Sequence, residues 1–384
     1  MRVLRDVLCA AFAAVFFASV ASASEIGSRN AARSTWDVHE TISLLAAACI
    51  KWPAKPDNCQ PQPRSILDLV AQDNEKSFGT TTANYYSLAS RWSDDPLRML
   101  ESGSSTLMLG LTLWNKCDRA NKDGPKWDQR GLLCASHFGP LEFLHAQDTL
   151  FSDPPTNEVP SAKPQDPASL GLSRERMLQW ARFAFRAAVD PSFDAMPYCD
   201  AIKDPAFKDI EGSLTPSDSF HCTGKHAFTV ARFFSSRCRR FSFHCDDLTK
   251  HDPGRYYVRQ GGTGAILHLI QDSYSQSHAA RLPAGMAPVD ADKVFPSLSA
   301  CQPVATFYDY NAQKTAESET HGNADKPPLI DVSCLQVPRA ADDVITASAR
   351  AIWVLQQAQL PGANLRGLED ELVNDIRGRV LVTR

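Results

Sequence analysis

Residues 173–190, SRERMLQWARFAFRAAVD, place apolar side chains at helical spacing along their whole length, a period that a half-buried strand cannot use. Ser173 is a candidate N-cap there, and Glu175 falls in the first turn, where a carboxylate suits the helix dipole. The same period recurs in 39–50 (HETISLLAAACI, with Thr35 or Asp37 as cap), 264–278, 340–357 and 368–380. Alternating strand patterns are scarce. The chain is therefore expected to be all-α, a multi-helix fold. The stretch 152–168, with five prolines, reads as a surface loop, and 191–220 and 282–303 also read as irregular. One domain over 24–384 is expected, decorated by insertions near 100–135, 152–220 and 282–320. A two-domain split near residue 160 is the alternative, but candidate ligands fall on both sides of it.

The first 23 residues carry Arg2 and Arg5, an apolar run from Val7 to Val20, and the small residues Ala21-Ser22-Ala23. That order is a signal peptide's, and it predicts a secreted or periplasmic protein; a membrane anchor is the alternative. Cys9 would leave with the leader. Ten cysteines would remain, an even number suited to disulfides in an oxidising compartment. Cys49 with Cys59 and Cys117 with Cys134 are plausible partners, with connectivity open. No CxxC pair occurs, which argues against a zinc knuckle or a thioredoxin-like site. With 40 basic and 44 acidic residues and a net charge of −4, no strong field for a polyanion exists, and no stable nucleic-acid complex is expected. Nothing in the sequence calls for a protein partner.

The histidines carry the chemistry. In AILHLIQDSYSQSH, His268 and Asp272 stand four residues apart, on one face of a helix, and can reach one metal ion. His278, six residues further, would lie nearly three turns from His268 on a continuous helix and so face a second ion. The competing reading makes the histidine a cap and pairs Asp272 with Arg281. ETHGNAD repeats the spacing with His321 and Asp325, or is a polar loop. RWSDDP offers Asp94, or an N-cap before a proline. EFLHAQD offers His145, or a core histidine, and WDVHE offers His39, or a surface one.

Taken in order, Trp36, His39, Trp92-x-Asp94, His145, His268-x3-Asp272-x5-His278 and His321-x3-Asp325 resemble the ligands of the secreted zinc-dependent phospholipases C and the fungal zinc single-strand nucleases. The central motif is similar without adjustment; the outer ones follow in order and type, over residues 36 to 325, with longer gaps. The resemblance implies an all-α fold, stapled here by disulfides, and a cluster of two or three Zn2+ ions. It assigns Asp94, His145, His268 and Asp272 to a first ion, His278, His321 and Asp325 to a second, and His39 with a bridging Asp272 to a third. Family members complete that third site with an N-terminal Trp, whereas Trp36 lies thirteen residues beyond Ala23.

Close divalent ions suit phosphoester hydrolysis, since they activate water and neutralise charge on the phosphoryl oxygens. By resemblance, Asp94 orients or deprotonates the attacking water. The wording FLHAQD and DSYSQSH is similar to the larger phosphatidylcholine-hydrolysing phospholipases C of Gram-negative bacteria. Cleavage of phosphatidylcholine to diacylglycerol and phosphocholine at a membrane or vesicle surface is the leading expectation. Gly322-Asn323-Ala324 partly matches a nuclease segment and keeps a single-strand nuclease or nucleotidase as the alternative. A zinc-stabilised binding protein without turnover is a third reading, weakened because structural zinc sites favour Cys and none falls in this set. No GxSxG occurs, so a serine hydrolase of the elbow type is excluded.

Overall fold

The computed structural model describes residues 38–59, 82–99, 131–148, 166–216, 222, 228–238, 245–252, 254–275, 278–281, 302–307 and 342–383. These residues are mostly helical. The principal helices are α1 (Val38–Cys49), α2 (Thr82–Ala89), α3 (Gly131–Phe138), α4 (Pro167–Val189), α5 (Val230–Ser235), α6 (Tyr256–Asp272), α7 (Val344–Gln357) and α8 (Leu365–Asp375). Helix α6 is the centre. It packs most extensively on α4 and also lies against α2, α5 and α7. Every residue from Gln260 to Asp272 is buried, as a helix surrounded by others must be.

Close approach to α6 depends on three glycines. A Cβ on Gly264 would fall 1.8 Å from the Ala89 carbonyl oxygen, and Cβ atoms on Gly261 and Gly262 would come within 2.6 Å of the Phe234 and Ala184 oxygens. The backbones of α2, α5 and α4 therefore rest directly on α6. Around that crossing sits an aromatic core in which Trp180 stacks near Trp92, Phe183 and Phe234.

Helix α4 starts six residues before the expected cap. Asp166 accepts from the Ala168 and Ser169 amides, and Pro167 follows it with its backbone angle preset, so Asp166-Pro167 outcompetes Ser173, which is buried inside the helix. The same Asp-Pro signal organises 190–214, expected to be irregular. Asp190 and Asp204 cap the short turns Pro191–Asp194 and Pro205–Phe207, and Tyr198–Ala201 and Glu211–Leu214 complete the run. Phe193, Tyr198, Phe207 and Leu214 are buried, with the first three rings against Phe183. This part of the supposed 152–220 insertion thus belongs to the core.

Among the described residues, strands form two short antiparallel pairs, β1 (Ser236–Cys238) with β2 (Cys245–Asp247), and β3 (Ala279–Arg281) with β4 (Val304–Phe307). Three disulfides close local loops: Cys49–Cys59, Cys199–Cys222 and Cys238–Cys245. Cys134 is also disulfide-bonded. Bonds of this kind persist in an oxidising compartment. Residues 1–23, expected to be a leader, and Trp36, Cys117, Cys301 and Cys334 lie outside the described residues. No helix among the described residues is long and apolar enough to cross a membrane.

Candidate metal centre

Helix α6 ends at Asp272, and the chain then turns back. Arg281 donates to the Ser273 carbonyl (3.0 Å), the Ser273 hydroxyl (3.2 Å), the Gln302 carbonyl (3.1 Å) and the Val380 carbonyl (2.8 Å). The guanidinium thus caps a helix end and ties it to the C-terminal segment. It does not pair with Asp272. The turn returns His278 to within 3.5 Å of Asp272 Oδ2, where a continuous helix would have carried it away. His278 thus lies beside the His268–Asp272 pair and not nearly three turns along a continuous helix.

Asp272 is the hub. Its Oδ1 lies 3.2 Å from His39 Nε2, and its Oδ2 lies 2.8 Å from His268 Nε2 and 2.9 Å from His145 Nδ1. One oxygen therefore faces the start of α1, and the other faces α6 and the turn Glu142–His145. Asp94, in the loop after α2, brings Oδ1 to 3.5 Å from His268 Nε2. Beside it, Asp95 Oδ1 accepts from the Met99 amide at 2.8 Å. His321 and Asp325 lie outside the described residues.

A carbonyl oxygen only accepts, so an imidazole nitrogen that faces one carries the proton. His268 Nδ1 donates to Ser90 O at 2.8 Å, and His278 Nδ1 to His145 O at 2.5 Å. His39 Nδ1 donates to Gln271 Oε1 at 2.9 Å, and Gln271 is held in turn by Ser43 at 2.8 Å. These bonds fix the ring orientations and leave Nε2 of His39 and His268 turned to the carboxylates, the outer support that metal-ligating histidines use. The turn bearing His145 is anchored from behind by a buried ion pair between Asp148 and Arg176 of α4. It ends at Ala146, in a left-handed conformation.

The sequence reading missed His137. It sits on α3, donates from Nδ1 to Leu133 O at 2.9 Å, and turns Nε2 to within 3.9 Å of Asp94 Oδ1. Its ring centroid is 4.7 Å from that of His145. The only signal in the sequence was that ASHFGPLEFLH places two histidines eight residues apart, on either side of the helix-breaking Gly139-Pro140 pair.

Asp272, Asp94, His145, His268 and His278 are all at most 4% exposed. Burial opposes ionisation of Asp272, but His268, His278 and His39 around it outweigh that and hold its carboxyl well below the usual range. Burial likewise disfavours charge on His39 and His268. Asp272 overrides it in both, raising His39 to about 10 and raising His268 as well. Burial wins at His145, which is lowered, and at His137, which with repulsion from His145 is lowered to about 3.

The donor set fits zinc. In a tetrahedral zinc site with bonds of about 2.0 Å, neighbouring ligand atoms lie roughly 3.3 Å apart. The separations of 2.8, 3.0, 3.2 and 3.5 Å among His39, Asp94, His145, His268 and Asp272 bracket that value. Two triads, His39–His268–Asp272 and Asp94–His145–His268, have donor atoms close enough to hold an ion. His145 Nε2 is buried and makes no hydrogen bond, which leaves a lone pair or a proton for an added partner to satisfy.

Comparison with protein-family models, curated proteins and solved structures finds no match.

The arrangement must therefore be read from its own chemistry. Two carboxylates and several imidazoles lie together within the bundle, with ring orientations fixed by groups around them. A structural zinc site of the closed type would draw on cysteine. The described cysteines here are in disulfides, and every candidate donor is nitrogen or oxygen.

Proposed function

We propose that this chain is a secreted zinc-dependent phosphodiesterase of the phospholipase C kind, cleaving the glycerol-side bond of phospholipids. The observation that carries the reading is the placement of Asp272, with one carboxylate oxygen toward His39 and the other toward His268 and His145. That is how a carboxylate shared between two ions is arranged. His39, Asp94, His145, His268 and Asp272 would hold the ions, with His278 beside them. When bound, the ions supply Lewis acidity, activating water near neutral pH and offsetting charge on the phosphoryl group.

The chain's own residues do the rest. The Asp94 carboxylate orients the attacking water and takes its proton. Ser90 O, Gln271 and His145 O keep the imidazoles in their tautomers through each turnover. Burial of the cluster excludes bulk water and strengthens every charge interaction within it. Water adds to phosphorus, the bond to the glycerol oxygen breaks, and that oxygen takes up the proton. Diacylglycerol and the phosphorylated head group are the products.

The test is hydrolysis of phosphatidylcholine vesicles and of single-stranded RNA by the purified protein, each with and without a chelator. Chelator-sensitive release of phosphocholine is expected. Nucleotide release with inert lipid would move the protein to the nuclease reading. Bound zinc without either activity would leave a zinc-stabilised binding protein.

A further inference from the structure

We propose that His137 is a metal ligand, and that with Asp94 and His145 it forms an ion position separate from one made by His39, His268 and Asp272. The proposal rests on the reading of the cluster as metal-binding and divides its donors differently from the family pattern.

The two triads identified by distance both use His268. His268 Nδ1 is committed to Ser90 O, so the ring has one lone pair, at Nε2, and serves one ion. Filling both positions leaves the second with two donors of its own, Asp94 and His145, beyond any share of Asp272, among the described residues. His137 stands where the missing donor belongs, with Nε2 3.9 Å from Asp94 Oδ1 and its ring 4.7 Å from that of His145. Leu133 O fixes the Nδ1 proton, so the nitrogen turned to Asp94 carries the lone pair. A second, independent sign is the buried Nε2 of His145, which makes no hydrogen bond.

Each position then has two imidazoles and one carboxylate, the make-up of catalytic zinc sites that keep a coordination place open. The division also removes a difficulty. His39, His268 and Asp272 supply three donors without any N-terminal Trp, so the internal location of Trp36 costs the centre nothing.

His137→Asn tests this, because the amide keeps a donor for Leu133 O and deletes Nε2. Zinc per chain is measured after dialysis, alongside thermal unfolding of the metal-free proteins. The variant is expected to hold one ion fewer than the parent and to unfold at the same temperature without metal. An unchanged zinc content would overturn the assignment while leaving the metal-centre reading intact. A parent protein that binds no zinc would overturn both. Imidazole NMR of the unaltered protein loaded with a magnetic cadmium isotope reads the same point without a variant. A one-bond coupling from the metal to His137 Nε2 is expected, and its absence in a cadmium-loaded sample refutes the proposal.

Discussion

Gly264→Ala places a methyl where there is no room. The added Cβ would stand 1.8 Å from the Ala89 carbonyl oxygen, 2.6 Å from its carbon and 3.0 Å from the Trp92 Cβ. In a free helix the change would help, since alanine is better than glycine by about 1 kcal/mol. Against that gain stands overpacking, at about 1–3 kcal/mol for a well-packed site. The upper end applies here, because the obstacles are the Ala89 backbone and the Trp92 Cβ, neither of which a side-chain rotation can move. A net loss of about 2 kcal/mol is expected. Urea unfolding measures it, with Gly171→Ala as the contrast, because nothing lies within 4 Å of a Cβ at that position. Gly171→Ala should unfold at the same or a higher urea concentration than the parent. The site should respond too, since Ser90, whose carbonyl orients His268, is the next residue after Ala89. A Gly264→Ala protein as stable as the Gly171→Ala protein would refute the close helix crossing on which the site's placement depends.

Three other outcomes follow. Arg176→Met leaves Asp148 buried without its ion-pair partner, a loss of about 3–5 kcal/mol, and Asp148→Asn in the same chain should restore part of it, as a double-mutant cycle in urea would show. Metal binding should release protons, because His39, raised to about 10, is protonated at neutral pH in the metal-free protein and must give up that proton to ligate. Zinc affinity should then rise with pH below about 10, about tenfold per pH step for each proton released, as titration in metal-buffered solutions would report; a flat profile from pH 6 to 8 would contradict it. Asp272→Asn removes the charge that both faces of the centre share, so bound zinc should fall by at least one ion per chain, which elemental analysis of the folded variant checks.

What could be read from the sequence was the local geometry. His268 and Asp272 are separated by one helical turn, and the helix bearing them forms, so they meet at 2.8 Å. Cys49 and Cys59 stand close in sequence and bond. The helices of 39–50 and 340–357 appear as Val38–Cys49 and Val344–Gln357. What lay beyond the sequence was long-range. His278 depends on where α6 stops, and there a guanidinium eight residues downstream of Ser273 binds the Ser273 carbonyl and two further points of the chain, Gln302 and Val380. His137 finds Asp94 across 43 residues, a distance over which no periodicity speaks. The run 190–214 looked irregular because each of its turns is too short to show a helical period, although its Asp-Pro pairs were visible as starts.

Zinc-edge X-ray absorption of the purified protein, with metal per chain counted on the same sample, tests the central claim most directly. A first shell of nitrogen and oxygen at about 2.0–2.1 Å, with imidazole scattering beyond it and at least two ions per chain, is expected. A shell containing sulfur at about 2.3 Å, or a chain that retains no zinc, would contradict the assignment of these histidines and aspartates as a metal centre.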